Sequence, residues 1–243
     1  MERVERILVK IYLDAGHGGK DSGAVGNGIQ EKDIVLKIVK KIESLLKNYQ
    51  NTEVLLSRSS DVFLSLDERT KKANNANADV FISVHINSAA SASAKGFETH
   101  RYINTNSATT SFQNVLHQEI MRAIGSEIED RGKKQSNFHV LRDSKMKAVL
   151  TENLFISNSS DAAKLKNDSF LDKVAQGHVK GLEKFLGLKR IEKPPKDESS
   201  PSPSQPSNRL YVVQVGAFED KENADALAAD LRKEGYRPYI KYE

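Results

Sequence analysis

Along its first three quarters the chain alternates two patterns: short apolar runs rich in β-branched residues, and longer segments whose apolar positions recur every three or four residues. Ile7 to Leu13 (ILVKIYL) and Asp79 to Ile86 (DVFISVHI) are of the first kind, bounded by turn formers, and predict buried strands. Glu31 to Lys47 is of the second kind: Ile34, Val35, Ile38, Val39, Ile42, Leu45 and Leu46 share one helical face. Val54 to Ser57 predicts a further strand, and Ser65 with Glu68 three residues on predicts a capped helix from Leu66. Then follow a strand at Gly96 to Tyr102, a helix near Ser111 to Ile124, a strand at Ala148 to Thr151 and a helix at Phe170 to Leu186. This alternation predicts an α/β fold, a mostly parallel twisted sheet flanked by helices. Right-handed crossovers would gather the strand carboxyl ends on one edge, where such sheets place their ligands.

Five of the six prolines fall between Pro194 and Pro206, in KPPKDESSPSPSQPSN. Proline without a core-forming partner favours extended backbone, and the Ser, Lys, Asp and Glu around it keep the segment solvated. The expected organisation is therefore a unit over residues 1–188, a linker over 189–208 and a small module over 209–243. The module (RLYVVQVGAFEDKENADALAADLRKEGYRPYIKYE) reads strand, helix, strand, with Ala224, Leu227, Ala228 and Leu231 on one helical face. Such a short βαβ piece needs help to bury a core. Docking on the larger unit, or self-association with a second copy, would supply it.

Composition narrows the chemistry. The chain has 243 residues, 38% of them apolar, and no Cys. That length buries a sizeable core without crosslinks. Lacking thiolates, the chain would hold any metal through His, Asp and Glu. Lys and Arg exceed Asp and Glu by only four, 37 against 33, with no dense basic cluster, so nucleic acid is not an expected partner. Charges interrupt every apolar run in MERVERILVK, so no secretory signal is expected, and no apolar stretch is long enough to insert in a bilayer. The expectation is synthesis in the cytoplasm.

Two histidines stand where the functional edge should be: His17, in DAGHGG after the first strand, and His85, in SVHINS at the end of another. A Gly-rich loop, expected to be flexible, leads from His17 to Glu31 at the start of the next helix, and Glu152 follows the apolar run AVLT. Two neutral imidazoles and one carboxylate suit Zn²⁺ and leave a coordination position for water; a second carboxylate can carry a proton. The chemistry implied is amide hydrolysis. Each histidine alone also reads as a hydrogen-bonded loop residue. The Gly-rich stretch also reads as a phosphate loop, though it lacks the Gly-Lys-Ser/Thr ending and the dinucleotide spacing.

Four blocks, DAGHGGKDSGAVGNGIQEKD, SRSSDVFLSLDERTKKANNANADVFISVHINS, GFETHRY and HVLRDSKMKAVLTENLFISNSSDAAKL, resemble the zinc-dependent N-acetylmuramoyl-L-alanine amidases in order and spacing. The resemblance covers residues 7–187. It implies one zinc ion held by His17, Glu31 and His85, Glu152 as the catalytic carboxylate, and peptidoglycan as substrate, cut between the muramic acid lactyl group and L-alanine. YVVQVGAF, NADALAADL and GYRPYI resemble one half of a sporulation-related repeat (SPOR) domain, which implies peptidoglycan binding. Relatives of this make are sporulation autolysins or phage endolysins, which implies action on the wall after release or non-classical export.

Ala15 and Lys147 stand where family members often carry Pro, which is expected to loosen the loops around the site; Asn153 stands where many carry an apolar residue, so the groove is expected to differ in stem-peptide preference. Arg142 and His139 are candidate substrate contacts, Arg142 through its planar fork on a stem-peptide carboxylate; the alternative for Arg142 is an ion pair with Asp143. His100 is a further candidate, His178 reads as a packing residue, His117 as a helix-surface residue, and Arg69 and Asn74 as structural anchors. Two other functions stay open on residues alone: a catalytically inactive wall-binding protein, and a zinc peptidase cutting within the stem peptide.

Overall fold

The first strand carries the logic of the whole sheet. In β1 (Val9–Ala15) Ile11, Leu13 and Ala15 point to one face, while Tyr12 and Asp14 point to the other. The computed structural model describes residues 8–191, 216–236, 238 and 240, which fall in two units, Met1–Lys193 and Pro194–Glu243. In the first unit β1 is followed by a hairpin of β2 (Val25–Gly26) and β3 (Ile29–Gln30), then α1 (Glu31–Leu46), β4 (Thr52–Leu56), α2 (Leu66–Asn75), β5 (Val80–Asn87), β6 (Phe97–Arg101) and α3 (Ser107–Ile124). After these come β7 (Asp130–Gln135), α4 (His139–Arg142), β8 (Lys147–Phe155), α5 (Ser159–Leu165) and α6 (Asp168–Leu186).

The six-stranded sheet has the order β4-β1-β5-β8-β6-β7. The first four strands are mutually parallel; β6 runs antiparallel to β8, and β7 parallel to β6. The expected mostly parallel sheet is therefore present, with one reversal. Because of it, the beginnings of β6 and β7 lie at the same rim as the ends of β5 and β8.

Helices α1, α3 and α6 cover one face, where Ile11, Leu13, Val80, Ile82, Val84 and Val149 meet Ile38, Phe112, Leu116, Ile120 and Val174. Burying each of these side chains contributes about 1.5–3 kcal/mol. On the other face Tyr12, Phe81, Ala148 and Leu150 form a smaller cluster with Ala73 of α2 and Val140 and Leu141 of α4. That cluster stops short of the rim. Two residues further along the same strands the positions become Asp14, Ser83 and Glu152.

The capping box at Ser65 and Glu68 forms as predicted, but three features lie outside the apolar pattern. Strand β7 (DRGKKQ) has no apolar residue and is an edge strand; its charges discourage further pairing. Helix α5 starts at an Asn158 cap, whose side chain accepts from Asp161 N at 3.0 Å. The Gly-rich loop, expected to be flexible, is a pinned hairpin: Asn27 (φ 49°) and Gly28 (φ 75°) make its turn, and Asn27 Nδ2 donates to Ile156 O at 2.8 Å. Lys189–Ile191 still belong to the first unit's packing, through Gln50 N to Lys189 O and Ile191 N to Asn48 O, both 2.8 Å.

In the second unit α7 (Lys221–Lys233) turns Ala224, Leu227, Ala228 and Leu231 to its less exposed side. The strands expected around it fall largely outside the described residues, as does most of the expected linker. Among the described residues no helix is long and apolar enough to cross a membrane.

Candidate active site

The rim is assembled by locking one loop. His17 follows β1 with φ 59°, a left-handed conformation that is uncommon for a side-chain-bearing residue. Two arginines hold it there through backbone carbonyls. Arg69 donates from Nη1 to Ala15 O (2.7 Å) and from Nη2 to His17 O (2.7 Å); Arg58 donates to Ala15 O (3.0 Å) and Gly16 O (2.8 Å). Arg69 is itself fixed by Asp14 at 2.7 Å, a buried pair that Ser83 completes by donating to the other carboxylate oxygen. Burial opposes the Asp14 charge, but Arg69 and Ser83 outweigh it and hold the carboxyl below its ordinary range. Arg69 thus anchors the loop, as the sequence suggested; Asn74, at the other end of α2, holds Asp143 O and Lys145 N at 2.9 Å.

Close packing then brings the donors together. Gly16 lies flush against the His85 ring: a Cβ there would stand 2.3 Å from His85 Cε1. At Gly23 it would stand 2.6 Å from both Glu31 Oε2 and His17 Cδ2. Glu31, the first residue of α1, is buried and has His17 Nε2 at 3.2 Å and His85 Nδ1 at 2.9 Å. Its Oε2 accepts from Ala24 N and its Oε1 from Ile86 N, each at 2.9 Å. Burial penalises this carboxylate, and hydrogen bonds from the two imidazoles outweigh the penalty, holding it well below the usual range. One ligand atom from each of His17, Glu31 and His85 lies within 4.8 Å of the others. Asp21 Oδ2 sits 2.9 Å from His17 Nδ1; a carboxylate only accepts, so Nδ1 carries a proton, and a cation replacing the proton that Nε2 shares with Glu31 would meet the Nε2 lone pair.

Glu152 is the register partner of His85 across β5 and β8, and of Glu98 across β6. Its Oε2 is buried without a hydrogen-bond partner among the described residues. Burial first, and then the negative charges of Glu31 and Glu98, push its pKa well above the ordinary value. A buried orphan oxygen beside a carboxylate–imidazole cluster needs a proton, a cation or a substrate as its partner.

Residues 11–184 match the family model described as N-acetylmuramoyl-L-alanine amidase (Amidase_3), and residues 207–243 match the SPOR domain. The chain belongs to the N-acetylmuramoyl-L-alanine amidase family. Among relatives, the sporulation-specific N-acetylmuramoyl-L-alanine amidase of Bacillus subtilis (strain 168) is 45% identical over 94% of this chain and 83% of its own length. The endolysin of Bacillus phage SPP1 is 54% identical over 84% of this chain and 76% of its own. Among solved structures, the catalytic domain of CwlV, an N-acetylmuramoyl-L-alanine amidase from Bacillus (Paenibacillus) polymyxa var. colistinus, superposes with a TM-score of 0.71 at 42% identity, covering 74% of this chain and 99% of that one. The protein is accordingly an amidase that hydrolyses cell wall, with peptidoglycan as its substrate.

The amidase's other histidines divide sharply from His17 and His85. His178 is fully buried; its Nδ1 donates to Val174 O at 2.8 Å and its Nε2 accepts from Thr151 Oγ1 at 3.1 Å. Burial pushes its pKa down to about 4, so it is a neutral packing residue. His117 corrects the surface expectation: it is buried between Thr99 Oγ1 (3.0 Å) and Asp130 Oδ1 (2.9 Å), because α3 turns that side toward β6 and β7. His100 is buried and spends both ring nitrogens, on Ser136 Oγ (2.7 Å) and Glu98 Oε1 (3.1 Å). Asn153 is buried too and does not line the groove; its Nδ2 donates to the His85 carbonyl at 3.0 Å.

His139 and Arg142 lie together on α4, which packs against α2. His139 Nδ1 is 3.0 Å from Asp143 Oδ2, and Arg142 reaches Asn137 Oδ1 at 2.9 Å and Asp143 Oδ1 at 3.2 Å. Neither makes a hydrogen bond or ion pair with His17, Glu31, His85 or Glu152 among the described residues. Sequence reasoning passed over Asp21, Arg58, Glu98 and Arg131. The available signal was charge at inward positions, such as Glu98 in GFETH, whose neighbours Phe97 and Thr99 are buried on the other face.

Proposed function

We propose that the amidase is zinc-dependent, that His17, Glu31 and His85 hold the ion, and that Glu152 is its proton carrier. The observation that carries this is the single buried carboxylate flanked by two imidazoles, all three ligand atoms within 4.8 Å. The residues fit zinc: two nitrogen donors and one oxygen donor, a hydrogen-bonded partner behind His17, and Glu152 alongside but outside the set. Zinc held there would polarise the scissile carbonyl and acidify a water molecule.

The protein's own groups do the rest. Asp21 fixes the His17 tautomer, the Arg58 and Arg69 clamps hold the loop still, and Glu152 takes the proton from the attacking water. Water oxygen adds to the lactyl carbonyl carbon, the carbon–nitrogen bond breaks, and Glu152 returns the proton to the departing L-alanine nitrogen. The products are a lactyl carboxylate on the glycan and a stem peptide with a free amino terminus.

Chelation should abolish wall lysis and added Zn²⁺ restore it, with about one zinc per chain in the purified protein. Mass spectrometry of digested wall should show intact stem peptides beginning with L-alanine; full lysis by metal-free protein would refute the assignment.

Residues 207–243, which match the SPOR domain, would act as a tether. Binding to the wall raises the local substrate concentration without new catalytic contacts. Self-association through this segment would show as a concentration-dependent mass. The proposed setting is whole-wall lysis, in sporulation or in phage release, with the enzyme reaching the wall from the cytoplasm; sporulation or holin genes beside its own distinguish the two.

A further inference from the structure

Glu98 opens a second polar constellation on the same rim. Its Oε1 accepts from Asn87 Nδ2 (3.0 Å) and His100 Nε2 (3.1 Å); its Oε2 accepts from Arg131 Nε (2.8 Å) and lies 3.4 Å from Lys134 Nζ. The carboxylate is saturated, and two permanent cations face one buried anion. Exposed Glu129, 3.9 Å from Arg131 Nη1, is a weak further partner.

Arg131 is held in an unusual way for an edge-strand side chain. Its Nε is spent on Glu98, its guanidinium carbon lies 4.7 Å above the ring centroid of buried Phe155, and Nη1 makes two long contacts, to Lys95 O at 3.4 Å and to Glu129 at 3.9 Å. Nη2 makes no hydrogen bond among the described residues, although the side chain stays partly open to solvent. A fork fixed on an aromatic face with one donor edge free is preorganised for a planar anion.

Its position suits the substrate. Glu98 and Glu152 are cross-strand partners, so their backbones lie about 5 Å apart, and Arg131 is one hydrogen bond beyond Glu98. Two residues of extended peptide span about 7 Å. A carboxylate just past the L-alanine of the stem can therefore reach Arg131 while the amide sits at Glu152.

We infer that Arg131, steadied by Glu98 and Phe155, recognises a free carboxylate of the stem peptide next to L-alanine. This gives Arg131 the part that the sequence suggested for Arg142. The inference rests on the amidase site proposed above, and its test separates the two. Two soluble muramyl peptides are compared that differ only in whether the carboxylate nearest L-alanine is free or a primary amide. The readout is the ratio of kcat/KM values within each enzyme, so any general damage to Glu152 cancels. Wild type should favour the free acid by roughly tenfold or more, mainly through KM. Arg131→Gln should bring the ratio near one, and Arg131→Lys should keep part of it. Calorimetric titration of the metal-free full chain with the two released stem peptides should show the same preference without turnover. A wild-type ratio near one overturns the inference even if the Gln variant fails to fold, as does a preference that survives in Arg131→Gln. Loss of hydrolysis of both substrates by wild type would instead count against the proposed site.

Discussion

His17 and His85 stand at the open rim and share one carboxylate, whereas His117 and His178 lie behind the sheet with each ring nitrogen matched to its own partner. The residue type is the same and the outcome opposite. Around His117 and His178 both ring nitrogens are already taken, so neither ring is left to bind anything further. At the rim two rings compete for Glu31 while a fourth group, Glu152, keeps an oxygen without a partner. Chemistry belongs where hydrogen bonding is left incomplete by design of the fold.

The widest break in that comparison comes from the rim. Glu152→Gln keeps the shape but cannot carry the proton, so hydrolysis should fall by roughly 10²–10⁴-fold while bound zinc, measured by elemental analysis, stays at the wild-type level. A loss of zinc in this variant would instead make Glu152 a ligand.

The next effect is on stability. Arg69→Met strands Asp14, which has no exposure to water, and also removes the hydrogen bonds given to His17 O and to Ala15 O, the second of which Arg58 still holds. Breaking a buried pair from one side costs about 3–5 kcal/mol. Urea unfolding should show that loss.

Behind the sheet the expected signature is a pH dependence. His178 has its pKa pushed down to about 4, from 6.5 when unfolded. Between those values the unfolded chain binds a proton that the folded chain refuses, so stability is lost as pH falls through the window. The full difference is about 3 kcal/mol, of which about 2 kcal/mol should be gone at pH 5. Unfolding curves at pH 7 and pH 5 measure it; His178→Gln, having nothing to titrate there, should show a correspondingly smaller drop between the two.

How much of this was legible follows from what each feature depends on. Apolar spacing announced the α1, α3 and α6 layer, because burial on one face leaves a period in the sequence. Glu31, His17 and His85 could be singled out because each follows or opens a predicted element. Strand β7 could not be, since DRGKKQ gains its place from edge pairing rather than from burial. Helix α3 begins four residues earlier than its apolar pattern, at an Asn106 cap accepting from Thr109 N. Asp21 lies only four residues from His17, whereas Arg58 and Glu98 act through backbone carbonyls and partners far away in the chain. No local spacing encodes such contacts, and the burial of His117 depends on the same long-range packing.

The finest test touches a single hydrogen bond. Asp21 accepts from His17 Nδ1, fixing which ring nitrogen is free, and takes Gly23 N at 3.0 Å on its other oxygen. Asp21→Asn preserves size and the contact to Gly23 but can place an amide hydrogen opposite Nδ1, favouring the wrong tautomer. Removing a partner behind a metal-binding histidine typically weakens metal binding by 10–100-fold. Competition against a chelator of known affinity should read a shift of that size for zinc, with the unfolding midpoint of the metal-free protein little changed because Asp21 is partly open to water. An unaltered zinc affinity would mean that the Arg58 and Arg69 clamps alone orient His17, and that the rim, unlike the interior, is set by its backbone rather than by the partner behind the ring.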